Sequence, residues 1–198
     1  MARGDKWKLK SWYSVISPKL FDEKKIGDVI ALEEAHLLNR VVTVNLGELT
    51  GEVPHAYTNL CFRIGEVKGK TAYTYLIGHT FIRTYLRTLI RRGMSLIDDV
   101  LKVRTKDGKE LYVKSIIVTA SKVSTDTRIA LRKEAEKIVS DTAANLDYDS
   151  FMQSVLFKKL SSQIYNNIKK IAPIKRVEIT KTELIEKKFK ASSAAKAS

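Results

Sequence analysis

Gly78-His79-Thr80-Phe81-Ile82-Arg83-Thr84-Tyr85-Leu86-Arg87-Thr88-Leu89-Ile90-Arg91-Arg92-Gly93 is the stretch around which the rest of the chain is organised. Its spacing predicts a helix that Thr80 caps and Gly93 ends. Ile82, Tyr85, Leu86, Leu89 and Ile90 fall on one face. Arg83, Arg87 and Arg91 recur every fourth residue along another, with Arg92 beside them. The stretch holds no acidic residue. Like charges at that spacing repel by about a few tenths of a kcal/mol per pair. An anion opposite the row offsets that cost, whereas a plain solvated face has to bear it.

Upstream, residues 60–67 alternate as Leu60, Phe62 and Ile64 against Cys61, Arg63 and Gly65. Lys68-Gly69-Lys70 makes a tight turn, and residues 71–77, rich in Thr and Tyr, return as a second strand. This hairpin leads straight into the arginine helix. Further back, residues 11–16 read as a first strand that Pro18 ends, and residues 22–27 as a polar turn. Residues 29–39 have no clear period. Residues 40–46 suit a strand covered on both faces, and Gly47 and Gly51 bracket a bend.

Downstream, residues 100–105 and 110–120 form a hairpin around Lys106-Asp107-Gly108-Lys109. The run Ile116-Ile117-Val118 implies burial on both sides, inside a barrel or beneath an overlying helix. From about residue 127 to 146 the period is helical, with Leu131, Ala135, Ile138 and Val139 on one face. Arg128, Arg132 and Lys133 crowd its first turns, the unfavourable end of the helix dipole for cations. Asp149 or Ser150 caps a further helix striped by Phe151, Val155, Leu160, Ile164 and Ile168, with Lys158, Lys159, Lys169 and Lys170 off the stripe. Pro173 stops it, and residues 176–180 make a last short strand.

The 198 residues are 44% hydrophobic, enough for a folded core, and carry a net charge of +14 spread along the chain. A polyanion relieves such self-repulsion; nucleic acid is the leading candidate and an anionic membrane the second. The single Cys61 excludes an intramolecular disulfide and a cysteine-based zinc site, and suits a reducing cytosol. No apolar run approaches membrane-spanning length, no signal-peptide core is present, and no internal repeat is found. Residues 1–10 form a basic arm with Lys6, Lys8 and Lys10 on alternate positions around Trp7. Aromatics among cations suit RNA, where rings stack and ammonium groups meet phosphates. Trp12 and Tyr13 read instead as anchors of the first strand. From Lys187 the chain is mostly Lys, Ala and Ser without an acidic residue, a tail able to follow a phosphate backbone through Lys187, Lys188 and Lys190.

Catalytic patterns are lacking. His36, His55 and His79 are scattered, and no Gly-rich phosphate loop, dinucleotide fingerprint or nucleophile elbow occurs. Glu33-Glu34 and Asp98-Asp99 are neighbours that point apart and make poor acid–base pairs. No cofactor or metal is called for.

Several motifs then converge. The opening Lys6-Trp7-Lys8-Leu9-Lys10-Ser11-Trp12-Tyr13-Ser14-Val15-Ile16-Ser17-Pro18-Lys19 resembles the start of the archaeal and eukaryotic small-subunit ribosomal protein family S-one-e, also called S-three-a. The resemblance continues in order through Asn39-Arg40-Val41, Leu49-Thr50-Gly51, Gly78-His79-Thr80, Arg91-Arg92, Thr105-Lys106-Asp107-Gly108, Ile129-Ala130-Leu131-Arg132-Lys133 and Ile171-Ala172-Pro173-Ile174, covering nearly the whole chain. The family usually has Gly where this chain has Asn39, and acidic residues expected soon after are replaced by Thr43 and, conservatively, Glu48. The absence of a long C-terminal extension is more like the archaeal form. The resemblance implies a component of the small ribosomal subunit on its platform side, near the 3′ end of the ribosomal RNA and the messenger RNA exit, with a β-barrel-like core and packed helices.

The expected fold is thus α+β: a barrel-like core of antiparallel hairpins with about three packed helices. Residues 1–10 would be an arm, 11–182 one globular domain and 183–198 a tail. The expected role is structural, in a cytoplasmic ribosome, with ribosomal RNA, neighbouring ribosomal proteins and messenger RNA as partners and no membrane. The expected RNA contacts are Lys6, Trp7, Lys8, Lys10, Arg83, Arg87, Arg91, Arg92, Arg128, Arg132, Lys133, Lys187, Lys188 and Lys190. The competing classes are an RNA-processing or RNA-modifying enzyme, marked by His79 beside two buried carboxylates, and a basic module for membranes or acidic proteins.

Overall fold

A computed structural model describes residues 10–52 and 55–185. Among them are eight strands, β1 Ser11–Ile16, β2 Lys25–Ala31, β3 Val41–Asn45, β4 Thr58–Lys68, β5 Thr71–Phe81, β6 Leu96–Arg104, β7 Glu110–Thr119 and β8 Ile174–Leu184. The helices are α1 Leu46–Thr50, α2 Arg83–Leu89, α3 Thr125–Asn145, α4 Tyr148–Leu156 and α5 Lys159–Ile168. The fold is α+β, as the alternation of hairpins and helical periods implies. Among the described residues there are five α-helices, where about three were expected.

Strand β5 is the hub. Along one side it pairs antiparallel with β4, which pairs in turn with β3. On its other side it changes partner partway. Residues 71–73 lie parallel to β1, whose far side carries β2, whereas Gly78, His79 and Thr80 lie antiparallel to β8. From β8 the sheet continues to β7 and β6. No pairing among the described residues joins β6 to β2 or β3, so the sheet branches and stays open. The barrel-like closure is corrected on this point: closure requires every strand to find two neighbours around a ring, and here the partner switch along β5 splays the sheet into two arms.

Sterics fix the branch point. A Cβ on Gly78 would lie 2.0 Å from the Thr182 carbonyl oxygen, so only glycine lets β8 approach. Next to it, the fully buried His79 ring hydrogen-bonds the Thr182 hydroxyl at 2.8 Å through Nδ1 and the Ile179 carbonyl at 3.0 Å through Nε2. This β5–β8 pairing also overrides the predicted start of the arginine helix. Thr80, read as its cap, pairs with Asn59 and Lys181 inside the sheet. Helix α2 begins only at Arg83, and Ile82 precedes it without a side-chain cap. It ends before Ile90, which is extended, and Gly93 (φ 85°) serves a later turn. Sheet pairing outweighs a capping preference of about 1 kcal/mol.

The strand β7 run is covered on both faces by helices rather than by a barrel interior. Ile116 and Val118 meet Leu89 of α2, while Ile117 joins the main core with Leu131, Phe151 and Ile164 of α3, α4 and α5. Leu131, Ala135 and Val139 are buried as their period predicts, while Ile138 is only partly so. Ser124 caps α3 by accepting from the Thr127 amide at 3.3 Å. The single helix expected after it is two, because Lys158 turns left-handed (φ 59°) between α4 and α5. Neither Asp149 nor Ser150 caps α4; the Tyr148 amide donates to Oδ2 of Asp107, in the β6–β7 turn, at 3.0 Å. That hydrogen bond holds the Asp107 carboxyl below the usual carboxylate range. The bend between Gly47 and Gly51 is the short helix α1, with Asn45 Oδ1 accepting from the Gly47 amide at 2.8 Å. Tyr13 anchors β1 in the core, but Trp12 is 63% exposed. Asn39 has φ 64°, which explains the glycine of the resembled family: asparagine is the side chain that tolerates this left-handed position best.

Candidate nucleic-acid interface

Arg83 and Arg87 stand one turn apart on α2, and Arg91 and Arg92 follow in the turn beyond it. All four are exposed, and among the described residues none has a carboxylate within ion-pair distance. The opposite face of α2 holds the helix on the sheet through Leu89, with Tyr85 and Leu86 partly buried against it. Ile90, beyond the helix end, is 43% exposed and leaves the stripe. Arg83 and Arg87 are therefore held on a docked helix, and Arg91 and Arg92 follow in the turn after it, so the helical row expected through Arg91 is cut short by the end of α2 at Leu89.

Tyr85 links this helix to a second set of cations. Its ring stacks on Tyr57 (centroids 4.5 Å apart, planes 14°) and meets Phe81 edge-on at 5.7 Å. Its hydroxyl donates to Glu178 Oε1 at 3.4 Å and accepts from Arg176 at 3.3 Å. Burial, and then the Glu178 charge, push the hydroxyl pKa up, so it stays protonated and donating. The Glu178 side chain, 4% exposed, has Lys158 Nζ at 3.6 Å and Arg176 Nε at 3.5 Å, both measured to Oε1. Lys175 lies alongside and contacts Met94 Sδ at 3.7 Å, in the turn after α2. The strip of positive charge thus runs from α2 onto β8 and the α4–α5 junction.

The basic start of α3 joins the same turn from the other side. Arg128 donates to Ser95 Oγ at 3.1 Å. Arg132 donates to the Asp98 carbonyl at 3.1 Å and lies 4.0 Å from Asp99 Oδ1. These contacts give the charge at the unfavourable helix end an internal reason: Arg132 ties α3 to β6 and Arg128 ties it to Ser95, just before that strand. Burial pushes the Asp99 carboxyl up, and Arg132 opposes the shift. Lys133 is exposed. The start of α3 thus meets Ser95, just after the turn that carries Arg91 and Arg92, and Arg128 and Arg132 are partly engaged in holding the fold. Lys10 is exposed at the edge of the described chain, and Lys6, Trp7, Lys8, Lys187, Lys188 and Lys190 lie outside the described residues.

Lys158, Lys175 and Arg176 are not among the expected contacts. By sequence, Lys158 is one of several lysines off a helical stripe, and Arg176 is part of a short final strand. Charge is the only signal they carry there, since their proximity to α2 depends on β8 crossing to β5.

His79 has a hydroxyl and a carbonyl as its ring partners, not two carboxylates. Burial lowers its pKa from 6.5 to about 4, so the ring is neutral near pH 7 with both nitrogens occupied. Among the described residues, no three His, Cys, Asp or Glu side chains gather at metal-binding distance, and no helix is long and apolar enough to cross a membrane.

An open sheet with a docked helix and an outward-facing basic strip is the frame of a protein that presents exposed cations along one face. The family supplies the particular case. The chain belongs to the Ribosomal S3Ae family, whose model matches residues 2–188. It is 38% identical over 182 residues to small ribosomal subunit protein eS1 of Saccharolobus islandicus (strain L.S.2.15 / Lassen #1), covering 92% of this chain and 88% of the relative. The eS1 of Saccharolobus solfataricus is 39% identical with the same coverage. That of Sulfurisphaera tokodaii is 38% identical over 92% of this chain and 94% of its own. The family is one of ribosomal structural proteins, not of enzymes.

Proposed function

We propose that this chain is a structural constituent of the small ribosomal subunit that binds its ribosomal RNA through basic helices, arm and tail. The observation that carries the reading is the family match over residues 2–188, together with relatives named as small-subunit proteins across nearly their full length. The outward arginines of α2, lacking internal counter-ions among the described residues, supply the physical means. Phosphate contacts of this kind position a protein on RNA without reading sequence. In this proposal the protein occupies the platform near the RNA 3′ end and the messenger RNA exit, in a cytoplasmic ribosome, beside other small-subunit proteins.

Sedimentation of a lysate through a sucrose gradient tests the assignment. The protein is expected to migrate with small subunits and to leave them only at high salt. Recovery in the soluble fraction at moderate salt contradicts the proposal.

A further inference from the structure

A groove of about 400 Å³ lies between α5 and β8, beside the basic strip. Glu178 contributes to its lining, with Lys158, Lys175 and Arg176 as its cations and Tyr165 and Asn166 from α5. The volume lies in the range of pockets that hold one small molecular group. Tyr165 keeps 37% of its surface exposed. A hydrophobic core does not require that ring here, and a plain solvated face does not require a buried carboxylate.

The carboxylate is the informative part. Burying a charge is costly unless donors surround it. Three donors converge on the Oε1 atom of Glu178: Lys158, Arg176 and the Tyr85 hydroxyl. Lys158 and Arg176 are thereby held in place at the groove, so an incoming anion loses less of its binding energy to ordering them. Asn166, beside Tyr165 on α5, adds a side-chain amide to the same lining. Fixed cations, an accessible aromatic ring and a polar acceptor are the elements by which proteins take an unstacked nucleotide; a stacked base pair presents no free ring face to such a groove.

We propose that this groove takes a single unpaired nucleotide of an RNA strand, with its base on Tyr165 and its phosphates at Lys175 and Arg176. The inference rests on the RNA-binding reading above and adds a specific single-strand site to it.

Fluorescence anisotropy of the full chain with a labelled single-stranded ribo-oligonucleotide of about ten nucleotides, and with a matched duplex, tests it. Tyr165→Leu is expected to weaken single-strand binding about tenfold, to leave duplex binding unchanged and to preserve the salt slope, because stacking is not ionic. Tyr165→Phe keeps binding. Lys175→Gln, at an exposed position, lowers the single-strand salt slope by about 0.7. Equal single-strand affinity for Tyr165→Leu and wild type, with unchanged thermal melting, overturns the site, as does displacement of the oligonucleotide by polyglutamate at equal charge. If wild type binds neither RNA, the RNA-binding reading itself fails; if it binds both and only the Tyr165 effect is missing, the groove alone fails.

Discussion

Replacing His79 by Gln should remove much of the pH dependence of stability between pH 7 and pH 5. In the fold, burial lowers the ring pKa from 6.5 to about 4, opposed by the hydrogen bond to the Ile179 carbonyl. The unfolded chain takes up a proton near pH 6.5, and the folded chain does so only near pH 4. Stability from this group is therefore complete above pH 6.5 and is lost as pH falls towards 4. The full displacement corresponds to about 3 kcal/mol, of which about 2 kcal/mol is gone at pH 5. Urea unfolding followed by far-UV circular dichroism at the two pH values measures it, with the variant subtracting the titration of all other groups. Wild type should lose about 2 kcal/mol more than His79→Gln on going to pH 5. Equal losses in the two proteins, or a wild type that gains stability on acidification, would refute the reasoning. The same geometry bears on function: both ring nitrogens are committed to the β5–β8 seam, so His79 has no free nitrogen to offer as an acid or base.

Three further outcomes follow from the same structure. Changing Arg83, Arg87 and Arg91 together to Gln should weaken RNA binding and flatten its log–log salt dependence by about 0.7 to 0.9 for each phosphate no longer neutralised; an unchanged slope marks the row as merely solvated. Gly78→Ala should cost about 3 kcal/mol in chemical denaturation, since its methyl would collide with the Thr182 carbonyl, and a loss under about 0.5 kcal/mol contradicts the close approach. Asn39→Gly should leave thermal stability within about 0.5 kcal/mol, whereas Asn39→Val should lose about 1 to 2 kcal/mol, because a β-branched side chain resists the left-handed φ of 64°.

The hairpins were legible because their information is local. Turn residues at 69 and 108 supply the left-handed glycines, and the strands around them alternate. Arg83 and Arg87 were legible for the same reason, since charges one helical turn apart are a local pattern, but the row does not run on through Arg91, because α2 ends at Leu89. The helix boundary was not: Thr80 is a good cap by type, but its backbone pairs with strands 21 residues upstream and about a hundred residues downstream. The break at Lys158 was also hidden, because nothing in a lysine favours a left-handed conformation.

The sequence by itself determined an α+β chain, its hairpins, the outward arginines and, through motifs spread over nearly its whole length, its family. Those are properties of short segments, fixed by periodicity, turn chemistry and charge. Only the tertiary structure decided that the sheet stays open, that β5 divides its pairing between β1 and β8, that Lys158 and Arg176 gather at Glu178, and that Lys175 meets the turn after α2. The reason is the approach of β8 to Gly78, a contact between residues about a hundred positions apart that no local pattern encodes.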